Sequence, residues 1–203
     1  MASHKEDKKR YIGIAVVVLM FAVVAAMFVI TQNQFADVNK KHELYNITKD
    51  SVEYVFSNNI YNTLNSTVIE DKQYIKNALD SPVSVVIAFN GSSAEDNSYF
   101  SVVSYNLVDK LKNYYVYSKA KIVKFAAIDL QQNKTISKGN TIIFFQGPNT
   151  GAKNSSVYYD NACVIDGAVV STFSRCIIVQ GTDYAGLVKA SERLVLHIID
   201  FNG

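Results

Sequence analysis

Two cysteines, three histidines and five asparagine sequons are the residues whose types and spacing bear most directly on chemistry in this 203-residue chain. Cys163 and Cys176, the only cysteines, lie 13 positions apart. In an oxidising compartment such a pair closes a small loop, which contributes on the order of 3 kcal/mol in the chain-entropy model. The competing reading is two buried thiols on neighbouring strands. His4, His42 and His197 fall in three separate parts of the chain, and neither H-x-x-x-H nor C-x-x-C occurs, so the sequence implies no metal site and no cofactor. There is no G-x-S-x-G either, and Cys163 is better placed for a disulfide than for nucleophilic attack. Glu95 and Asp96 form a carboxylate pair at the start of a helical pattern, where capping and the helix dipole account for them.

The sequons stand at Asn46, Asn65, Asn90, Asn133 and Asn154, all past the first 45 residues, and each is a candidate glycosylation site if the chain is exported. Two loops add a further possibility. Residues 90–97 (NGSSAEDN) and 147–154 (GPNTGAKN) each follow an apolar run, ending at Phe89 and Gln146 respectively. In open α/β sheets ligands gather beyond the carboxyl ends of parallel strands. Neither loop matches G-x-G-x-x-G or G-x-x-x-x-G-K-[ST], so a nucleotide site is unsupported and turn chemistry suffices.

The element that places all of this is 11–31, YIGIAVVVLMFAVVAAMFVIT, 21 residues without a charge. As a helix it covers roughly 30 Å, the hydrocarbon thickness of a bilayer. A signal-peptide core is usually about 7–15 residues long and ends in a small-x-small site. This run is longer and lacks a clean A-x-A at its exit. Pilin-type prepeptides carry a small residue before the apolar helix, where Lys9-Arg10-Tyr11 puts a tyrosine. Residues 11–31 therefore read as a transmembrane helix in a lipid bilayer. Lys5, Lys8, Lys9 and Arg10 in the basic tail 1–10 favour a cytoplasmic N-terminus and an extracellular C-terminal domain.

Beyond the span the chain is long enough for one domain with a real core. A net charge of +2 carries no basic footprint, so nucleic acid is not an implied partner. Thirteen Tyr and eleven Phe with two Pro argue for packed strands over a disordered ectodomain. Residues 32–81 read as a helical stalk: Val52, Val55, Phe56, Ile60 and Leu64 recur at helical spacing with Asp50 or Ser51 as cap, and a second helix spans 70–79 before Pro82. Residues 82–203 read as one exported α/β domain. Strand 83–89, helix 94–115 and strand 121–130 make a βαβ unit with parallel pairing. Strand 141–146 comes next, then a β-meander of short strands near 156–159, 163–165, 168–172 and 176–180, with Asp166-Gly167 as a hairpin turn. Gly181-Thr182-Asp183 then caps a C-terminal amphipathic helix with Lys189, Glu192 and Arg193 facing outward.

At GPNTGAKN and IIVQGTDYAGLVKASERLVLHII the chain resembles archaeal surface-layer (S-layer) proteins and their small membrane-anchored relatives, over about 60 of 203 residues. The resemblance lies in an apolar strand joined to a Gly-Pro loop, then a hairpin and an apolar strand ending in Gly. The next element is a helix of the form Tyr-x-x-Leu-x-x-Ala-x-x-x-Leu, here Tyr184, Leu187, Ala190 and Leu194. The resemblance implies a structural role and brings no catalytic residues. The expected protein is a membrane-anchored extracytoplasmic structural or binding protein of the cell envelope, not an enzyme, whose partners are envelope proteins or other copies of itself. The alternatives are a pilin-like filament subunit and, third, an exported enzyme using the loops after Phe89 and Gln146.

Overall fold

A computed structural model describes residues 45–131, 139–161 and 176–201, together with the backbone of 135–136, 169–170 and 175. The basic tail, the apolar run 11–31, residues 32–44, Asn133, Cys163, the strand expected at 163–165 and the Asp166-Gly167 turn lie outside the described residues. No helix among the described residues is long and apolar enough to cross a membrane. Residues Tyr45–Gly203 form one compact unit.

Its frame is a six-stranded mixed sheet. From one edge to the other the order is β3 (Val68–Ile69), β8 (Ser156–Asp160), β10 (Arg175–Gln180), β7 (Thr141–Gln146), β4 (Ser84–Phe89) and β5 (Lys124–Asp129). Strands β10, β7, β4 and β5 run parallel to their neighbours among themselves. β8 pairs antiparallel with β10, and the two-residue β3 joins it at the edge. A second, two-stranded pairing links β6 (Thr135–Ile136) and β9 (Val169–Val170) in parallel. The parallel strands are apolar almost throughout because both faces are buried. Val85, Ile87 and Phe89 enter the larger core with Ile143, Phe145, Ile177 and Val179. Their alternating partners Val86, Ala88, Ile142, Phe144 and Ile178 form a second, smaller cluster with Leu130 and Cys176.

The larger core is covered by α2 (Lys72–Asp80), α3 (Ala94–Asn113) and α4 (Tyr184–Ile198), through Ile75 and Leu79, Phe100, Val103, Leu107 and Leu111, and Leu187, Leu194 and Val195. Ser93 caps α3, its hydroxyl accepting from the Asp96 N–H at 3.1 Å, while Lys110 and Lys112 sit in the last turn where the dipole favours cations. One π-helical turn, Tyr114–Ser118, extends α3. α4 closes with Asp200 at φ 55°, its successor's N–H reaching back to the Leu196 carbonyl at 2.9 Å. The expected βαβ unit is present, with Ser84 in register with Lys124 and Phe89 with Asp129.

Two expectations are overturned. Residues 45–81 do not form a helical stalk. They fold as a hairpin of β1 (Asn46–Lys49) and β2 (Val52–Val55), then α1 (Ile60–Ser66), β3 and α2. Val52, Tyr54, Phe56, Ile60, Ile69, Ile75 and Leu79 all belong to the main core, so this stretch is part of the domain. The hairpin turns on Asp50 and Ser51, both at positive φ (51° and 63°), the geometry of a type I′ turn. The β-meander is also corrected. β10 lies between β7 and β8 and runs parallel to β7, so the chain leaves the sheet after β8 and returns to its interior.

Candidate functional site

Three strand-to-helix or strand-to-loop junctions meet at the carboxyl ends of the parallel strands: the loop after Phe89, the loop after Gln146 and the segment 181–184 after β10. The two loops singled out from sequence are therefore neighbours. What joins them is Asp96, 1% exposed on the first turn of α3. One carboxylate oxygen accepts from the Ser92 N–H at 3.0 Å and from the Ser92 hydroxyl. The other accepts from the Asn149 amide at 3.1 Å and from the Tyr184 hydroxyl. Loop one, loop two and the start of α4 are thus tied to one side chain. Tyr99 reinforces the closure, its hydroxyl donating to the Tyr184 carbonyl at 2.9 Å with the two rings 4.1 Å apart.

Neighbouring contacts continue the pattern. The Asn97 amide donates to Asp129 at 3.2 Å, and Gln131 donates to the Gly91 carbonyl. The Gly181 N–H donates to the Gln146 carbonyl at 3.0 Å, and the Gly147 N–H to the Thr150 hydroxyl at 2.7 Å. Gln180, 7% exposed at the end of β10, donates to Ser156 at 2.9 Å and to Asn154.

Chemically this is a latch. A carboxylate has about four lone-pair positions, and four donors occupy those of Asp96. The bonds from Ser92 first and Tyr184 second hold its pKa down to about 2, and the same Tyr184–Asp96 bond pushes the phenol up to about 12. A general base works best near the ambient pH. Asp96 is displaced in the other direction, and four donors already occupy it. Among the described residues no three His, Cys, Asp or Glu side chains stand close enough to hold a metal.

The latch is not legible in the sequence, where capping and the dipole alone account for the Glu95–Asp96 pair. Its one local signal is Ser93-x-x-Asp96, a capping-box spacing, although the carboxylate reaches back to Ser92 and not to the cap itself. Glu192 is a second correction. Expected to face outward, it is 3% exposed and accepts from the Ser57 N–H, the Asn58 N–H at 3.3 Å and the Asn58 amide at 2.8 Å. It fastens the entry of α1 to α4. Beside it, a shallow groove of about 310 Å³ between β2 and the second half of α3 is lined by Glu53, Ser57, Asn106, Asp109 and Lys110. Burial lowers the Lys110 pKa there, partly offset by Glu192.

Of the sequons, Asn65 on α1 and Asn154 at the end of the second loop are exposed, whereas Asn46 and Asn90 are half-buried. The Asn46 amide nitrogen, the atom a glycan must take, donates to Glu53 at 2.8 Å. The Asn154 amide is held by its oxygen, which accepts from Ser156 at 2.8 Å. His197 is half-buried, its ring 3.0 Å from the Lys72 carbonyl.

Cys176 is fully buried in the smaller cluster and lies opposite Asp160 in the β8–β10 register; Asp160 stands three residues before Cys163. The bridge between Cys163 and Cys176 is an expectation of the sequence alone. We expect Cys163→Ser to lower the melting temperature of oxidised protein by several degrees. Equal melting of oxidised wild type and the serine variant removes the bridge.

No protein-family model, curated protein or solved structure matches this chain.

Proposed function

We propose that the chain is a membrane-anchored extracytoplasmic structural or binding protein of the cell envelope, held in the bilayer by residues 11–31, with the domain outside. The observation that carries a structural over a catalytic role is the Asp96 latch. At the edge of the sheet where an α/β enzyme would keep a ligand, this buried carboxylate is consumed by Ser92, Asn149 and Tyr184. Its lowered pKa makes it a poor proton acceptor at neutral pH and a good anchor for two loops and the start of α4. The resemblance of the 141–200 region to archaeal surface-layer proteins agrees with such a role.

The deciding experiment is extraction of native membranes with alkaline carbonate, followed by intact-mass and glycopeptide analysis. Full-length protein retained in the membrane fraction supports the reading. Release into the soluble fraction, or a mature mass beginning near Tyr11, overturns it in favour of a free or filament-forming subunit. If the sequons are used, glycan is expected at Asn65 and Asn154 ahead of Asn46, whose amide is engaged and half-buried. Dominant occupancy of Asn46 would refute that ranking.

A further inference from the structure

The amino ends of β4 and β5, opposite the latch, carry an apolar tip. Ile122 and Val83 are the two most exposed large hydrophobic residues described, at 92% and 78%. Val83 stands one residue before β4 and Ile122 two residues before β5, at the same end of two neighbouring parallel strands. Tyr117 and Val116 on the π-helical turn are exposed as well, at 64% and 42%. Elsewhere among the described residues exposed apolar side chains are scattered along β2, α1, β3, α2 and α3, which needs no explanation.

The tip is built. Lys119 reaches back to Asp80 at 3.0 Å and lies over the Tyr114 ring, joining the end of α2 to the turn after α3. The Lys121 N–H donates to the Tyr115 carbonyl at 2.8 Å, and Ala120 holds a left-handed φ of 49° between them. Charge along the two chain segments that form the tip is mostly basic. Residues 80–83 and 114–124 contain three lysines, Lys119, Lys121 and Lys124, against the single acid Asp80, which is already engaged by Lys119.

We propose that this tip docks on the surface of a bilayer containing anionic lipid. An aromatic and aliphatic centre with a lysine collar matches the membrane interface, where apolar groups enter the headgroup boundary and ammonium groups meet lipid phosphates. Chain length allows it. The 13 residues from 32 to 44 between the apolar run and the domain extend at most about 45 Å, so an anchored domain stays near the surface at high local concentration. The inference rests on the anchored reading above.

The test uses the full chain, which has no tryptophan of its own. Ile122→Trp and, as control, Tyr105→Trp (position 105 is 74% exposed on α3) are reconstituted into phosphatidylcholine vesicles with and without phosphatidylglycerol. Flotation is measured first, then quenching by brominated lipid. The expected result is a blue-shifted indole in the Ile122→Trp protein, quenched several-fold more than the indole of the Tyr105→Trp control. Adding Lys121→Glu and Lys124→Glu should abolish the excess. Flotation with equal quenching in the two variants overturns docking and leaves the anchor. A blue shift that follows protein density without bromolipid quenching overturns it in favour of a second copy. Failure to float overturns anchor and docking together.

Discussion

Replacing Asp96 with alanine is expected to lower stability at neutral pH by about 2–3 kcal/mol, since four hydrogen bonds to a charged acceptor are lost while the exposed donors Ser92 and Asn149 regain water. For a domain of this size that is a fall of roughly 5–10 °C in melting temperature. The effect must also depend on pH. The folded pKa of about 2 lies below the ordinary value of 3.8, so the native state binds fewer protons than the unfolded one. The contribution is therefore complete above about pH 4 and disappears as pH falls towards 2. Because water is one side chain away through Ser92 and Asn149, the titrating part is worth on the order of 1–2 kcal/mol, less than the full shift implies. Thermal melts of full-length wild type and Asp96→Asn in detergent, taken from pH 7 to pH 2, should converge at the acid end. A constant gap across that range would refute the ionised latch. Tyr184→Phe removes one donor of four and should show a smaller loss with the same pH dependence.

Why this latch lies hidden in the sequence is a matter of distance along the chain. Asn149 and Tyr184 reach Asp96 across 53 and 88 residues, and Ser57 reaches Glu192 across 135. Periodicity reports which face of a helix is apolar and says nothing about a polar residue whose partners arrive from elsewhere. Glu192 sits where the pattern expects a solvated side chain, and only the arrival of Ser57 and Asn58 buries it.

Other elements are legible for physical reasons. Continuous apolar runs mark strands buried on both faces, as in SVVIAF and TIIFFQ, and Ser93 and Asp183 mark helix starts by their capping chemistry. The hairpin of β1 and β2 reads as a helix because its type I′ turn uses Asp50 and Ser51 in place of the usual glycine. Its period-two signal is nevertheless there: Val52, Tyr54 and Phe56 are buried while Glu53 and Val55 are exposed. The same valines and aromatics also fit a helical spacing, and a short run cannot arbitrate between the two. The insertion of β10 between β7 and β8 is a pairing between segments distant in sequence and is invisible to local pattern.

Gly181→Ala is expected to be the most damaging of the alanine substitutions at the junction glycines, costing on the order of 3 kcal/mol or more. The reason is proximity. A Cβ at Gly181 would stand 2.1 Å from the Leu187 nitrogen and 2.6 Å from the Gly186 carbonyl carbon, both backbone atoms in the first turn of α4. Backbone cannot swing aside, so either the turn after β10 moves or α4 does, and both carry the latch through Tyr184 and the Gly181–Gln146 bond. Gly147 presents a milder case, with the Phe100 ring at 2.8 Å, and at Gly91 the nearest atom, 2.1 Å away, is the end of the Asn97 side chain. Gly151 has the opposite character: nothing lies within 4 Å, and only its φ of +97° resists a side chain, at about 1 kcal/mol. The four alanine variants should therefore rank by what the new carbon meets, Gly181 worst and Gly151 least, in melts of the full chain in detergent. A Gly181→Ala protein that melts with wild type would mean that α4 is free to shift on the sheet, and the junction that orients Tyr184 toward Asp96 would then be loose and not fixed by packing.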